Sequence, residues 1–308
     1  MRVGRRGVLG LGVLGMAGCA PVSVPPTTPS QSTASPATTP PSQAAPSTPA
    51  PSTVAPSAVT SNQNTPSASP DPTAAVPSRE DLVARYGERT ARQWGIEVDG
   101  VVLRSEADAA VVTLDACGGP NGSGYDEALI EVLRSLSVPA TLFLNLRWID
   151  ANPSVAAELA ADPLFELANH GTAHRPLSVS GAEAYGISGT ASVGEVVDEV
   201  MGGWERLAEL TGSPPLWFRS GTAHVDDVAV EIVQQLGQRV VNFDVNADAG
   251  ATFSASQVRR AMGEAGPGSI CIGHFNRPGS GTAGGMASAL PRLLDGGLAF
   301  ARLRDVLP

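Results

Sequence analysis

The sequence predicts an α/β domain, a (β/α) barrel that is seven-stranded and incomplete, preceded by a disordered Pro/Ser/Thr-rich linker. Three observations carry this expectation. From about Ala109 onward, short apolar runs alternate with segments of helical period. Those runs are continuously apolar, as parallel strands covered on both faces should be. Residues 20–78, by contrast, are almost entirely Pro, Ser, Thr, Ala, Val, Gln and Asn, with no aromatic residue and Asp71 as the one charge. Such a segment buries too little apolar surface to offset chain entropy.

Strands are expected at 110–115, 140–145, 165–169, 216–219, 240–245, 269–274 and 299–303. Helices are expected at 126–136, 153–160, 194–210, 226–236, 255–264 and 283–294, with a further helix outside the core within 79–95. A doubly wound open sheet is the alternative architecture. Either way, the site should lie at the C-terminal ends of the strands.

The first 19 residues read as an export signal. Arg2, Arg5 and Arg6 precede an apolar stretch, and small residues lead to Cys19. The arginine pair suggests the twin-arginine route, and Cys19 sits where a lipoprotein is lipidated. The apolar stretch falls short of the roughly 20 residues that span a bilayer. Residues 20–78 would then tether a folded domain, 79–308 with its core at 109–305, to a membrane through the lipid. The location expected is the cell surface or periplasm, and the state monomeric. The chain has no lysine, which excludes Schiff-base chemistry, and a net charge of −10 argues against nucleic acid. Cys117 and Cys271 could form a disulfide in an exported protein or remain free thiols.

All four histidines, His170, His174, His224 and His274, fall at or just beyond an expected strand end, as do Asp115 and Arg219. That convergence points to a site. In "NHGTAH", His170 and His174 are spaced to reach one ion from a helical turn or tight loop; neutral imidazole suits zinc, cobalt or nickel. Arg219 could hold Asp115 ionised through a bidentate bond. His274, after "GSICIG", could act as a general acid near neutral pH. Asp248 could orient it, or simply begin a turn. Asp126 is most simply a helix N-terminal charge, and His224 is either a third ligand, a substrate contact or local structure.

In this order the motifs resemble the polysaccharide deacetylases, the NodB-homology domain of the family-four carbohydrate esterases, over about 111–303. Thr113-Leu114-Asp115-Ala116-Cys117-Gly118 is similar to the family's Thr-Phe-Asp-Asp-Gly-Pro, His170 and His174 to its His-(Ser/Thr)-x-x-His, and Arg219 with Gly221 to its third motif. Ile272-Gly273-His274 is similar to its closing Leu-x-His. The resemblance implies metal-dependent removal of N-acetyl groups from an amino-sugar polymer of the cell envelope, peptidoglycan or a related glycan. Asp115 would be the general base, Arg219 its partner and His274 the general acid. Ala116 departs from the pattern, because the family's second aspartate is a metal ligand and alanine has no donor atom. The expectation is a retained divalent metal, zinc before cobalt or nickel, held by His170 and His174 with Asp115, Asp126 or His224 as third ligand. Cys117 is a fourth candidate ligand, although a thiolate beside a glycine turn more often signals packing. Two other functions remain open: an O-acetyl esterase or other amide hydrolase on the same fold, and a decayed, glycan-binding lipoprotein.

Overall fold

The computed structural model describes residues 76–308. The expected export signal, Cys19 and nearly all of the linker lie outside the described residues. Helix α1 (Arg79–Tyr86) and strand β1 (Trp94–Gly95) come first. β2 (Ala109–Ala116), β3 (Ala140–Leu144) and β4 (Phe165–Asn169) follow, separated by α2 (Glu127–Ser135) and by α3 (Leu146–Ala151) with α4 (Pro153–Ala161). A hairpin of β5 (Glu183–Ala184) and β6 (Ile187–Ser188) leads to the long helix α5 (Val193–Thr211). Next come β7 (Trp217–Phe218), β8 (Val225–Asp226), α6 (Asp227–Gln235), β9 (Arg239–Val240) and β10 (Val245–Asn246). The chain ends with α7 (Ala255–Met262), β11 (Ile270–His274), α8 (Thr282–Asp295), β12 (Ala299–Ala301) and α9 (Leu303–Val306). Among the described residues no helix is long and apolar enough to cross a membrane.

The main sheet is parallel and curled, with seven strands in the order β10-β11-β2-β3-β4-β7-β9 and β12 pairing alongside the start of β2. Its two edges are consecutive in sequence. The strand expected at 240–245 is therefore two short strands: β9 pairs with β7 at one edge, β10 with β11 at the other. Residues 241–244 cross the seam between them. Val102 bridges to Val241 there, and Asn242 N–H donates to the Val102 carbonyl. The barrel is incomplete because a bend of the chain, not a ladder, closes it. The expected run at 299–303 is also shorter and lies off the seven-strand path, its last residues turning into α9. Helix α3, not anticipated, starts where Asn145 accepts from the Arg147 N–H.

Strand alternation divides the residues cleanly. Val112, Leu114 and Ala116 of β2 face outward into an apolar cluster with α2, α4, α7 and α8. A second cluster packs α1, α5 and α6 on the other flank, with Leu82 and Tyr86 of α1 among its members. Val111 faces inward, with Phe143, Ala168, Trp217, Val241, Ile270 and Leu303, and these fill the lower barrel. At about 1.5–3 kcal/mol for each large side chain buried, these clusters offset the polar and charged groups placed above them. Glu166 closes the bottom: it accepts from Thr141 Oγ1, Trp217 Nε1 and both the backbone and side chain of Arg304.

The approach of α7 to α8 depends on Gly285, where an added Cβ would overlap Val258 Cβ and meet the Ala255 carbonyl oxygen at 2.9 Å. Gly285→Ala would gain about 1 kcal/mol of helix propensity but overpack a rigid contact at a cost of about 1–3 kcal/mol. The expected outcome is a net loss of stability, read as a lower midpoint in urea with an unchanged slope.

Candidate active site

The site is built at the C-terminal rim of the sheet. Inward-facing positions of β2 run Val111, Thr113, Asp115, and the next on that face is Cys117, just past the strand end. The chain then turns sharply through Gly118 and Gly119, both left-handed at φ 67° and 75°. A Cβ on Gly118 would lie 2.6 Å from the Trp148 backbone nitrogen, so the turn packs against α3 only with glycine there.

Asp115 and Arg219 are both buried, at 2% and 0% exposure. Arg219 Nη1 donates to Asp115 Oδ1 at 2.7 Å and to Thr113 Oγ1 at 2.9 Å. The bond to the carboxylate is single rather than bidentate. Nε and Nη2 are committed to the Val241 and Asn242 carbonyls at the seam, and the guanidinium lies 4.1 Å from the Phe143 ring centroid. Burial pushes the Asp115 carboxyl upward, but Arg219, with His170 and His274, outweighs it and holds the group below its usual range.

His170 and His174 sit on a tight loop after β4, with Gly171 and His174 in the left-handed region (φ 81° and 61°). Glu199 of α5 fastens that loop by accepting from the Ala173 and Arg175 N–H groups, and Asn145 Nδ2 donates to the His170 and Gly171 carbonyls. Gly221, after β7, packs against the His174 backbone so closely that a Cβ would overlap it. His170 Nδ1 lies 3.0 Å from the Arg219 carbonyl oxygen. A carbonyl only accepts, so the neutral ring carries its proton on Nδ1 and turns a lone pair at Nε2 toward Asp115 Oδ2 at 3.6 Å and Cys117 Sγ at 3.9 Å. The His174 ring meets that of His170 edge-on, with centroids 4.9 Å apart, and its Nε2 is buried with no hydrogen-bond partner.

His274 ends β11 in direct register with Asp115. Its Nδ1 is 2.8 Å from Asp248 Oδ1, and its backbone N–H donates to Asp248 Oδ2. Asp248, fully buried, also accepts from Gly250 N–H and Thr282 Oγ1. Burial alone would lower the His274 pKa; Asp248, with Cys117 beside it, raises it well above the usual histidine range. Around Cys117 the balance runs the other way: burial opposes ionisation, and His170, His174 and His274 together carry the thiol well below its ordinary value.

These groups open on a cavity of about 660 Å³ whose wall includes Asp115, Cys117, His174, His274, Arg147 and Tyr185. Among the described residues, the set whose ligand atoms all lie within 4.8 Å of one another is Cys117, His170 and His174. Two imidazole nitrogens and a thiolate suit a divalent cation of the zinc type, and the unpartnered His174 Nε2 is the orphan atom such an ion would satisfy.

Two of the proposed third ligands stand elsewhere. Asp126 caps α2, accepting from the Leu129 N–H. His224 pairs its Nδ1 with the Thr222 carbonyl and packs between Trp94 and Tyr185. Asp115 is close to His170 but engaged by Arg219. The preference for Cys117 as packing over ligation is corrected: its sulfur faces the imidazoles of His170 and His174. Cys271 is a free, buried thiol, pushed up to about 12 by burial and nearby Asp244, and Cys117 is likewise free. Glu199 was missed by the sequence reading. Its signal was an acid within the otherwise apolar stripe Val196, Val200, Gly203, Leu207 of α5.

No curated protein matches the chain. Several solved structures share its fold. One is a family 4 carbohydrate esterase pseudoenzyme from Bacillus anthracis, at 20% identity and TM-score 0.56 over 68% of this chain and 69% of that one. A second is a family 4 carbohydrate esterase from Bacillus anthracis, at 18% identity and TM-score 0.54, covering 72% and 98%. A third, from Streptomyces lividans and in complex with acetate, aligns at 20% identity and TM-score 0.52, covering 64% and 93%. Residues 104–241 match the polysaccharide deacetylase family model, and the described domain has the fold of the family 4 carbohydrate esterases.

Proposed function

We propose that this chain is a metal-dependent hydrolase that removes N-acetyl groups from an amino-sugar polymer of the cell envelope, peptidoglycan or a related glycan. The observation that carries the reading is the register pairing of Asp115 with His274. It sets the Arg219-held carboxylate and the Asp248-held imidazole side by side at one cavity, next to side chains able to ligate a metal. The matched family model and the solved family 4 esterases support the reaction class. Export and anchoring through Cys19 belong to the same proposal and rest on the N-terminal sequence.

Each residue then has a task. His170 and His174 would hold a divalent cation. A divalent cation supplies Lewis acidity, polarising a carbonyl and making a water more acidic. Asp115 accepts the proton of the attacking water, and Arg219 keeps that carboxylate ionised until it does. The water oxygen bonds to the acyl carbon, and the carbon–nitrogen bond breaks. His274 Nε2 protonates the departing sugar amine, leaving acetate and a free amino sugar. Asp248 fixes the His274 ring with Nδ1 protonated, so that Nε2 is the atom that donates at the cavity.

Incubation with chitooligosaccharide and with peptidoglycan is expected to release acetate when zinc, cobalt or nickel is supplied, and to stop with a chelator. No acetate from either substrate with any of the three metals would overturn the reading. Asp115→Asn and His274→Ala should each lower kcat by about 10²–10⁴. Asp248→Asn should lower kcat by at least about 10-fold through misorientation of His274, with KM nearly unchanged because Asp248 is fully buried; a fall confined to KM would show that Asp248 shapes binding instead.

A further inference from the structure

We infer that Cys117 is the third protein ligand, making this a thiolate–bis-imidazole site that favours thiophilic cations such as zinc and cobalt. The inference deepens the proposed function by specifying the metal site, and it rests on that reading only for the site's purpose.

Strand geometry decides which residue can serve. β2 stays extended through Ala116, so successive side chains alternate between its two faces. Ala116 is fully buried in the outer apolar cluster, against the helices. Any donor placed there would point away from the imidazoles. Asp115 and Cys117 share the opposite face, and both point to the rim. Asp115 Oδ1 is held by Arg219 at 2.7 Å and its Oδ2 lies 3.6 Å from His170 Nε2, but the side chain on that face whose ligand atom converges with both imidazoles is Cys117.

The surroundings of the sulfur agree with this role. Cys117 Sγ is 3.9 Å from His170 Nε2, and the ligand atoms of Cys117, His170 and His174 all fall within 4.8 Å of one another. Tetrahedral ligands on zinc at about 2.0–2.3 Å stand about 3.3–3.8 Å apart, so this triangle need contract by only about 1 Å at its widest to match. The imidazole atoms suit this role: in the neutral ring His170 Nε2 turns its lone pair toward Cys117 Sγ and Asp115 Oδ2 because Nδ1 donates to the Arg219 carbonyl, and His174 Nε2 is buried without a partner. With sulfur as the ligand, Asp115 is spared coordination and remains available as the base. The soft donor also shifts preference toward zinc and cobalt and away from magnesium or manganese.

Cobalt(II) loading of the metal-free protein tests this directly. Wild type should bind one equivalent and show the near-ultraviolet sulfur-to-cobalt charge-transfer absorption. Cys117→Ser should lose that absorption and bind zinc more than about 100-fold more weakly, since even groups that only contact a ligand are worth about 10–100-fold. Cys271→Ser, at the other free thiol of the described residues, should leave both properties intact. Cys117→Asp, which restores a donor without sulfur, should recover zinc binding without the absorption, so a mere failure of Cys117→Ser to fold is distinguishable. Wild-type cobalt protein lacking the absorption, or Cys117→Ser binding zinc as tightly as wild type, would overturn the inference. These readouts are independent of acetate release. The absorption without turnover sinks the deacetylase reading alone; turnover without the absorption sinks the cysteine ligand alone.

Discussion

The upper barrel depends on one buried ion pair. Arg219 lies where a polar side chain is costly, and every part of its guanidinium is used: Asp115 and Thr113 on β2, Val241 and Asn242 at the seam, and the Phe143 face below. Hydrogen bonds to charged groups are worth about 1.5–3 kcal/mol each. Either charge left alone in that interior would cost several. The pair therefore ties the central strand to the one place where the sheet is not closed by a ladder, and it fixes Asp115 as an ionised group in the same stroke. Its backbone carbonyl sets the tautomer of His170 as well, so one arginine controls both the charge of the acid and the direction of the imidazole lone pair.

Around this centre, strain is localised where the chemistry would occur. His174 adopts a left-handed backbone that a β-carbon disfavours. It is held there by Glu199, which is largely withdrawn from water and whose burial raises its pKa, and by the close approach of Gly221. A buried carboxylate accepting from two backbone N–H groups is costly to desolvate, and the apolar stripe of α5 around it offsets that cost. The result places an imidazole nitrogen without a partner toward a thiol, an arrangement that a bound cation would complete. The His274–Asp248 pair is more conventional, with four donors converging on one carboxylate.

Much of this was legible along the chain. The apolar strand runs, the helical periods between them and the clustering of histidines at strand ends are local patterns, and they located β2, β3, β4, β11 and their terminal Asp115, His170 and His274. The misreadings share a cause. The run 240–245 looks like one strand because Val240, Val241 and Val245 are all apolar, yet Val240 and Val245 belong to opposite sheet edges, a fact set by closure of the whole sheet. Glu199 interrupts the apolar stripe of α5 with no visible reason until the loop it grips is folded against it. Cys117, beside a glycine turn, looked more like packing than a ligand, because the face of a residue just past a strand end depends on how far the strand extends.

By itself, the sequence determined the α/β alternation and the rim to which Asp115, Arg219, His170, His174 and His274 belong as candidates, because strand periodicity and residue chemistry are properties of neighbours along the chain. Only the tertiary structure decided which donors meet. Ala116 faces the core and Cys117 the imidazoles because β2 keeps its pleat through residue 116, and Asp115 stands beside His274 because β11, more than 150 residues later in the chain, pairs in register with β2. Those are distances through space, set by sheet curvature and ladder register, and no local pattern encodes them.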